Sequence, residues 1–370
     1  VMKFTLINVR NGGCRLGMLS ELGGNRSKTI ETPMCMLYTR GGSAPHLTLD
    51  VLSKIQKDFA VYCSLHDPAT EVPSGYNEKG GPAVWVKGGK YKLDVNNYLC
   101  MMEAFQADIC EAVYDGDTQQ DSSNKRITKA VDRTLSYLDE IQDKWKISKK
   151  LQKTALFGVV EGGYNIKERE RSARETVARN VDGIYIFLWE CKYMYFYFVG
   201  YVIAGFHRHG PKMENFDFQE VTKICKNIME CIPDDKPRLM QNVWRPDKVL
   251  HGIEIGIDIF DRSALVFTYD MNICNKMEHN NKSSTSHGFE IDLTEKKYFD
   301  DFGPLLENCK CYTCQNFTRS YINHLLNTSE LFGAFGVIYN CYKFYFIFYF
   351  VILLYKSYWE GQTAGTVTMI

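Results

Sequence analysis

The chain has 370 residues, 45% apolar and 24% charged, with 44 basic and 44 acidic side chains and no formal net charge. That composition supplies a full core and excludes a disordered chain, and the length holds one large domain or two smaller ones. The neutral balance argues against a protein that grips nucleic acid unaided, because phosphate contacts usually demand a basic excess.

Residues 1–6 form a short strand-like run followed by Arg10 and Arg15, which is not the pattern of a signal peptide. Residues 59–63, Phe-Ala-Val-Tyr-Cys, predict a strand bounded by Asp67 and Pro68, and residues 96–107 a helix that leads into a strand over 109–114. After a polar stretch at 119–126, apolar residues recur at three and four through Trp145, which predicts a helix from Ile127. Lys144, Lys146, Lys149, Lys150 and Lys153 cluster beyond it. They read first as a solvated helix face or loop, with a phosphate-contacting ridge as the alternative.

Residues 154–160 predict a buried strand running into Glu161, Gly162 and Gly163, and 165–179 a charged helix. Segments 249–253 and 265–269 continue the mixture. Strands alternating with helices over this length imply an α/β fold with a parallel sheet, and a (β/α)8 barrel has a suitable size. Periodicity by itself does not separate a barrel from a doubly wound sheet, and no internal repeat is visible.

Two segments break the pattern: 184–199, IYIFLWECKYMYFYFV, and 342–359, YKFYFIFYFVILLYKSYW. Glu190 and Lys192 sit inside the first, and Lys343 and Lys356 close off the second. Both are shorter than the roughly 18 to 20 apolar residues that span a bilayer.

The strongest chemical signal is Cys309, Cys311 and Cys314, three thiols at C-x-C-x-x-C spacing. Such a loop converges on one tetrahedral ion, and soft thiolates select zinc. The thirteen cysteines are otherwise scattered through a chain too long for a disulfide scaffold, so a reducing compartment is expected. A structural zinc is expected rather than a catalytic one, since no His-Glu pair accompanies the thiols. His324 lies nearby in sequence, on an expected helix.

That cysteine loop, continuing as Gln315-Asn316-Phe317-Thr318-Arg319-Ser320-Tyr321-Ile322-Asn323-His324-Leu325-Leu326, resembles the zinc signature of tRNA-guanine transglycosylases. Thr32-Pro33-Met34, the run Phe157 to Gly163, Arg171-Ser172-Ala173 and Gly256-Ile257-Asp258-Ile259-Phe260-Asp261 follow in family order, so the likeness covers about residues 1–335. The resemblance implies a (β/α)8 TIM barrel over 1–300, a zinc-binding subdomain over 301–335 and a divergent apolar tail over 336–370. It also implies one zinc per subunit, held by Cys309, Cys311 and Cys314. The family's fourth ligand is a histidine whose position here is Asn340, which leaves His324, Cys341 or water to complete the site.

Members of the family exchange guanine at the tRNA wobble position for queuine through a ribosyl-aspartate intermediate, which needs one carboxylate as nucleophile and another as base. Catalytic members carry Asp-Ser-Gly-Gly-Phe-Gln where this chain reads Val72-Pro73-Ser74-Gly75-Tyr76, and Gln-Gly-Gly where it reads Glu161-Gly162-Gly163. Their Leu-Ala-Val-Gly-Gly is replaced by Phe206-His207-Arg208-His209-Gly210. The resemblance therefore implies a non-catalytic, cytoplasmic paralogue. It would act beside a catalytic queuine tRNA-ribosyltransferase subunit in a heterodimer, meet tRNA through that complex and associate peripherally with the mitochondrial outer membrane. One residue favours the alternative of a competent enzyme: Asp261 occupies the place of the family's nucleophile, although the Pro-Thr-Arg segment that should follow is absent. Residues 184–200 interrupt a strand that the family runs straight through. Like the tail, they are rich in Phe, Tyr, Ile and Lys, as translated intron sequence would be; the alternative is a pair of real membrane- or partner-binding insertions.

Overall fold

The computed structural model describes residues 2–9, 13–24, 28–36, 60–67, 71–73, 77, 80–86, 89–179, 199–206, 218–241, 243, 246–261, 293, 295–304, 307 and 312–328. They belong to two compact units, one of residues 1–43 and 58–263, the other of 44–57 and 264–370. The sequence reading drew its own boundary at 300.

The first unit opens with an antiparallel sheet of β1 (Lys3–Val9), β2 (Arg15–Ser20) and β3 (Thr29–Thr32). Burial alternates along β2, as it must in a strand with one covered face. The main sheet is entirely parallel. Its members are β4 (Met34–Cys35), β5 (Tyr62–Cys63), β8 (Ile109–Glu111), β9 (Ala155–Val160), β10 (Gly200–Ile203), β11 (Arg238–Met240) and β12 (Ile259–Phe260). They lie in the order β4-β12-β11-β10-β9-β8-β5.

The first strand of this sheet in chain order thus pairs with its last, Ile259 opposite Met34, as in a sheet curled toward a barrel rather than an open doubly wound one. This sheet has seven strands among the described residues. Between β4 and β5, residues 37–59 lie outside the described residues.

All six residues of β9 and all four of β10 are buried, which is why these segments read as continuous apolar runs instead of alternating ones. Helices alternate with the strands: α1 (Val95–Phe105), α2 (Asn124–Trp145), α3 (Ile166–Arg179), α4 (Phe218–Met229) and α5 (Pro246–Glu254). α2 starts three residues earlier than its apolar pattern, because Ser123 caps it by accepting from the Arg126 N–H, a contribution of about 1 kcal/mol. Ile127, Val131, Leu135, Leu138, Ile141 and Trp145 form its buried stripe. The mixture expected over 249–253 is helix α5.

Val199 and Gly200, placed in the foreign segment by the sequence reading, belong to the sheet. Val199 donates to the Leu156 carbonyl and Gly200 pairs with Phe157 in β9. A Cβ on Gly200 would lie 2.6 Å from the Phe157 ring and 2.7 Å from the Pro237 carbonyl, so the strand needs glycine there. Residues 184–198 and the tail from 329 lie outside the described residues. Among the described residues no helix is long and apolar enough to cross a membrane.

In the second unit, α6 (Tyr312–Asn316) precedes α7 (Arg319–Asn327). Thr318 caps α7, Arg319 pairs with Asp301 at 3.0 Å, and Ile322 packs on Leu293. Asn323 donates to the carbonyls of Leu293 and Glu295, stitching the helix to the segment before it.

Candidate functional site

Parallel strands place all their C-terminal ends on one edge, where (β/α)8 folds build their sites. Here that edge collects Glu111 from β8, Asp115 and Asp117 just beyond it, Glu161 from the end of β9, Gly205 after β10, Gln241 after β11 and Asp261 after β12.

Glu111 is fully buried and fully occupied. Its Oε2 accepts from the Tyr62 hydroxyl and from Gln241 Nε2, both at 2.5 Å, and its Oε1 accepts from the Leu65 N–H at 2.6 Å. Burial pushes its carboxyl up to about 7. The hydrogen bonds from Leu65 and Tyr62 oppose that shift, and the charge of Asp261 adds to it. Asp261 is thus an electrostatic neighbour of Glu111 inside the sheet, and only 4% of it is exposed.

Asp115 is held by cations. Arg126 grips it through both terminal nitrogens, Arg133 donates at 2.9 Å and Asn77 at 2.6 Å. Burial pushes this carboxyl up, but the hydrogen bonds and charges of the two arginines outweigh it and hold it below the usual range.

Glu161 is different. It is fully buried, Oε2 has one long contact with the Gly162 N–H at 3.4 Å, and Oε1 has no hydrogen-bond partner. Burial pushes it up to about 8 against the pull of Arg169, so it is mostly protonated at neutral pH. Arg169 is buried too. Its Nε and Nη1 donate to the carbonyls of Gly163 and Val160, each at 2.8 Å, and its guanidinium lies 3.8 Å from the Phe206 ring centre.

Glycine makes the room for Glu161. At Gly205, with φ +75°, a Cβ would lie 1.9 Å from Glu161 Oε2. At Gly162, with φ +137°, one would lie 2.7 Å from the Arg169 nitrogen, which is why the chain turns from strand to helix on Gly-Gly.

Chemically, the arrangement sequesters three of its carboxyls. A nucleophile or base must be ionised and open to substrate. Asp115 is ionised but tied to two arginines, Glu111 is saturated by donors, and Glu161 holds its proton. Pro73, at or near the position of the family's catalytic base, has no group that takes a proton. The nucleophile candidate Asp261 does reach this edge, while residues 262–270 after it lie outside the described residues.

Of the expected zinc ligands, Cys314 is buried on α6, and Cys309 and Cys311 lie outside the described residues, as do Asn340 and Cys341. His324 is exposed on α7. Lys144 pairs with Glu140, and Lys150 lies 4.0 Å from Glu103. The lysine cluster precedes β9 and so sits at the N-terminal strand ends, away from the carboxyl edge; the solvated reading fits it better than a ridge at the site.

Sequence reasoning singled out Glu161 and Asp261 but missed Glu111, Asp115, Arg126, Arg169 and Gln241. For Glu111 a signal existed, a lone acid inside the apolar run 109–114. Arg169 is one of four arginines in a charged helix, and nothing in the sequence marks it as the buried one.

Comparison with known proteins agrees with this architecture. The family model described as Queuine tRNA-ribosyltransferase matches residues 73–348. Proteins named queuine tRNA-ribosyltransferase accessory subunit 2 are similar over nearly their whole length. The one from Ixodes scapularis is 36% identical over 90% of this chain and 91% of its own. The human one is 32% identical over 95% of each, and the Danio rerio one 33% over 89% of each. The human alignment spans 417 positions against 370 residues here, so that relative carries segments this chain lacks. The chain belongs to the queuine tRNA-ribosyltransferase family, and these relatives within it are accessory subunits.

Proposed function

We propose that this chain is a non-catalytic subunit that pairs with a catalytic tRNA-guanine transglycosylase and helps present tRNA for exchange of guanine by queuine. The observation that carries this reading is the sequestering of Glu111, Asp115 and Glu161 at the carboxyl edge, with Glu161 fully buried and its Oε1 without a hydrogen-bond partner where catalytic members carry glutamine. The relatives' name, accessory subunit, supports a catalytic partner, and the resemblance supports a cytoplasmic protein peripheral to the mitochondrial outer membrane.

The purified chain should show no base exchange on tRNA with a GUN anticodon. Mixed with the catalytic paralogue, it should form a 1:1 complex and raise the exchange rate. Turnover by the chain alone that disappears in Asp261→Asn would establish the enzymatic alternative, and two non-interacting species in sedimentation would remove the pairing.

A structural zinc belongs to the same reading. The donor set fits: Cys309, Cys311 and Cys314 offer soft thiolates at a spacing suited to one tetrahedral ion, and Cys314 is buried. Bound there, the ion would hold the cysteine loop together and take no part in the exchange chemistry. Metal analysis should find one zinc per chain, lost readily to a chelator because Asn340 replaces the family's histidine. Asn340→His should slow the loss. A Cys311→Ser variant that keeps stoichiometric zinc would remove the site.

A further inference from the structure

Between β5 and α1 the chain forms a separate two-stranded hairpin, β6 (Ala83–Val86) and β7 (Gly89–Lys92). An isolated pair of strands is marginal in water and needs support. Ala83 is buried and Val84 packs on the main core. The Ala83 N–H donates to Asn77 Oδ1, the Gly81 N–H to the Tyr137 hydroxyl on α2, and Asn97 Nδ2 on α1 to the Tyr91 hydroxyl. The hairpin is therefore anchored at its base and along one side.

Its outward face is unusual. Trp85 is 46% exposed and lies opposite Lys90, and Lys92 is two residues further along the same strand. Side chains alternate across a strand, so Trp85, Lys90 and Lys92 share one face, while Tyr91, 45% exposed and tethered to α1, belongs to the other. Residues 83–92 contain three lysines and no acid in a chain with no net charge. Trp85 thus leaves nearly half of a large aromatic plane open to solvent beside two lysines.

An aromatic plane flanked by cations matches the chemistry of an unstacked nucleotide: the indole offers a stacking surface to a base, the ammonium groups meet the neighbouring phosphates. Position agrees with this. The hairpin follows the C-terminal end of β5 and so lies toward the carboxyl edge. Its brace Asn77 also donates to Asp115 there, at 2.6 Å.

We propose that the β6–β7 hairpin is an RNA-contacting element, with Trp85 stacking on an unpaired base of a tRNA loop and Lys90 and Lys92 meeting its phosphates. This rests on the tRNA-presenting reading above. The test uses the complex with the catalytic paralogue and measures binding of GUN-anticodon tRNA across salt concentrations. Trp85→Ala should raise Kd about tenfold and Trp85→Phe should largely restore it, since either ring stacks. Lys90→Ala with Lys92→Ala should lower the salt dependence by about two counterions.

If the parent complex binds no tRNA, the proposal falls together with the reading it rests on. If the parent binds but Trp85→Ala binds equally well, the hairpin proposal alone is overturned. If Trp85→Ala blocks assembly with the catalytic subunit, the hairpin is a protein interface and the RNA assignment is wrong.

Discussion

Replacing Asp258 by alanine is expected to cost the fold about 3–5 kcal/mol, the range found when one partner of a buried ion pair is removed. Asp258 begins the turn into β12 and is fully buried. Its Oδ1 accepts from Arg15 Nε at 3.1 Å, and its Oδ2 accepts from the Arg238 N–H at 2.8 Å. Arg15 comes from β2 of the antiparallel sheet, and its Nη2 also donates to the carbonyls of Asp234 and Lys236. This carboxylate thus ties the small sheet to the N-terminal ends of β11 and β12.

Without Asp258, the acid left beside the two buried arginines among the described residues is Asp234, which lies 79% exposed and is screened by water. Urea unfolding at about pH 7.5 gives the loss. A cycle with Arg15→Met should show strong coupling, the double variant losing less than the sum of the singles. Additive losses would mean that the two side chains do not depend on each other.

The second large effect is a pH dependence centred on Glu161. Its folded pKa of about 8 stands above the ordinary value of 4.5. Below pH 4.5 the carboxyl is protonated in both states and contributes nothing to the pH dependence. As pH rises from there toward 8, the unfolded chain ionises while the folded one keeps its proton, so stability falls; above 8 the loss levels off. At 1.36 kcal/mol per unit the full loss is about 3–5 kcal/mol as an order of magnitude.

Glu161→Gln removes the ionisation and keeps the shape. The stability of this variant relative to the parent should therefore grow steadily between about pH 5 and pH 8.5. Taking the difference cancels the other titrating groups. Parallel pH profiles for the two proteins would show that Glu161 is not buried as described.

Much of the scaffold was legible in the residues. The apolar run over 154–160 predicts a buried strand, and the three-four spacing from Ile127 to Trp145 predicts a packed helix; both elements are present. Both signals are local, set by the two-residue and 3.6-residue repeats of the backbone. Helix α5 was harder, because Val249, Leu250 and Ile253, interrupted by His251 and Gly252, are too few to fix either repeat. The end of the foreign segment was misplaced by two residues because Val199 is apolar like its neighbours, and only its bond to Leu156 shows that the strand has begun.

The sequence by itself determined the class of fold and the kinship, since both follow from residue types in order along the chain. Only the tertiary structure decided what the remaining acids do. Glu111, Asp115 and Glu161 carry the same group, yet one is saturated by donors, one is clamped by two arginines and one is left protonated beside Arg169. Their partners come from up to 130 positions away, as Gln241 does for Glu111. A carboxyl's charge is set by burial and by what stands within a few ångströms, and the linear order of residues records neither.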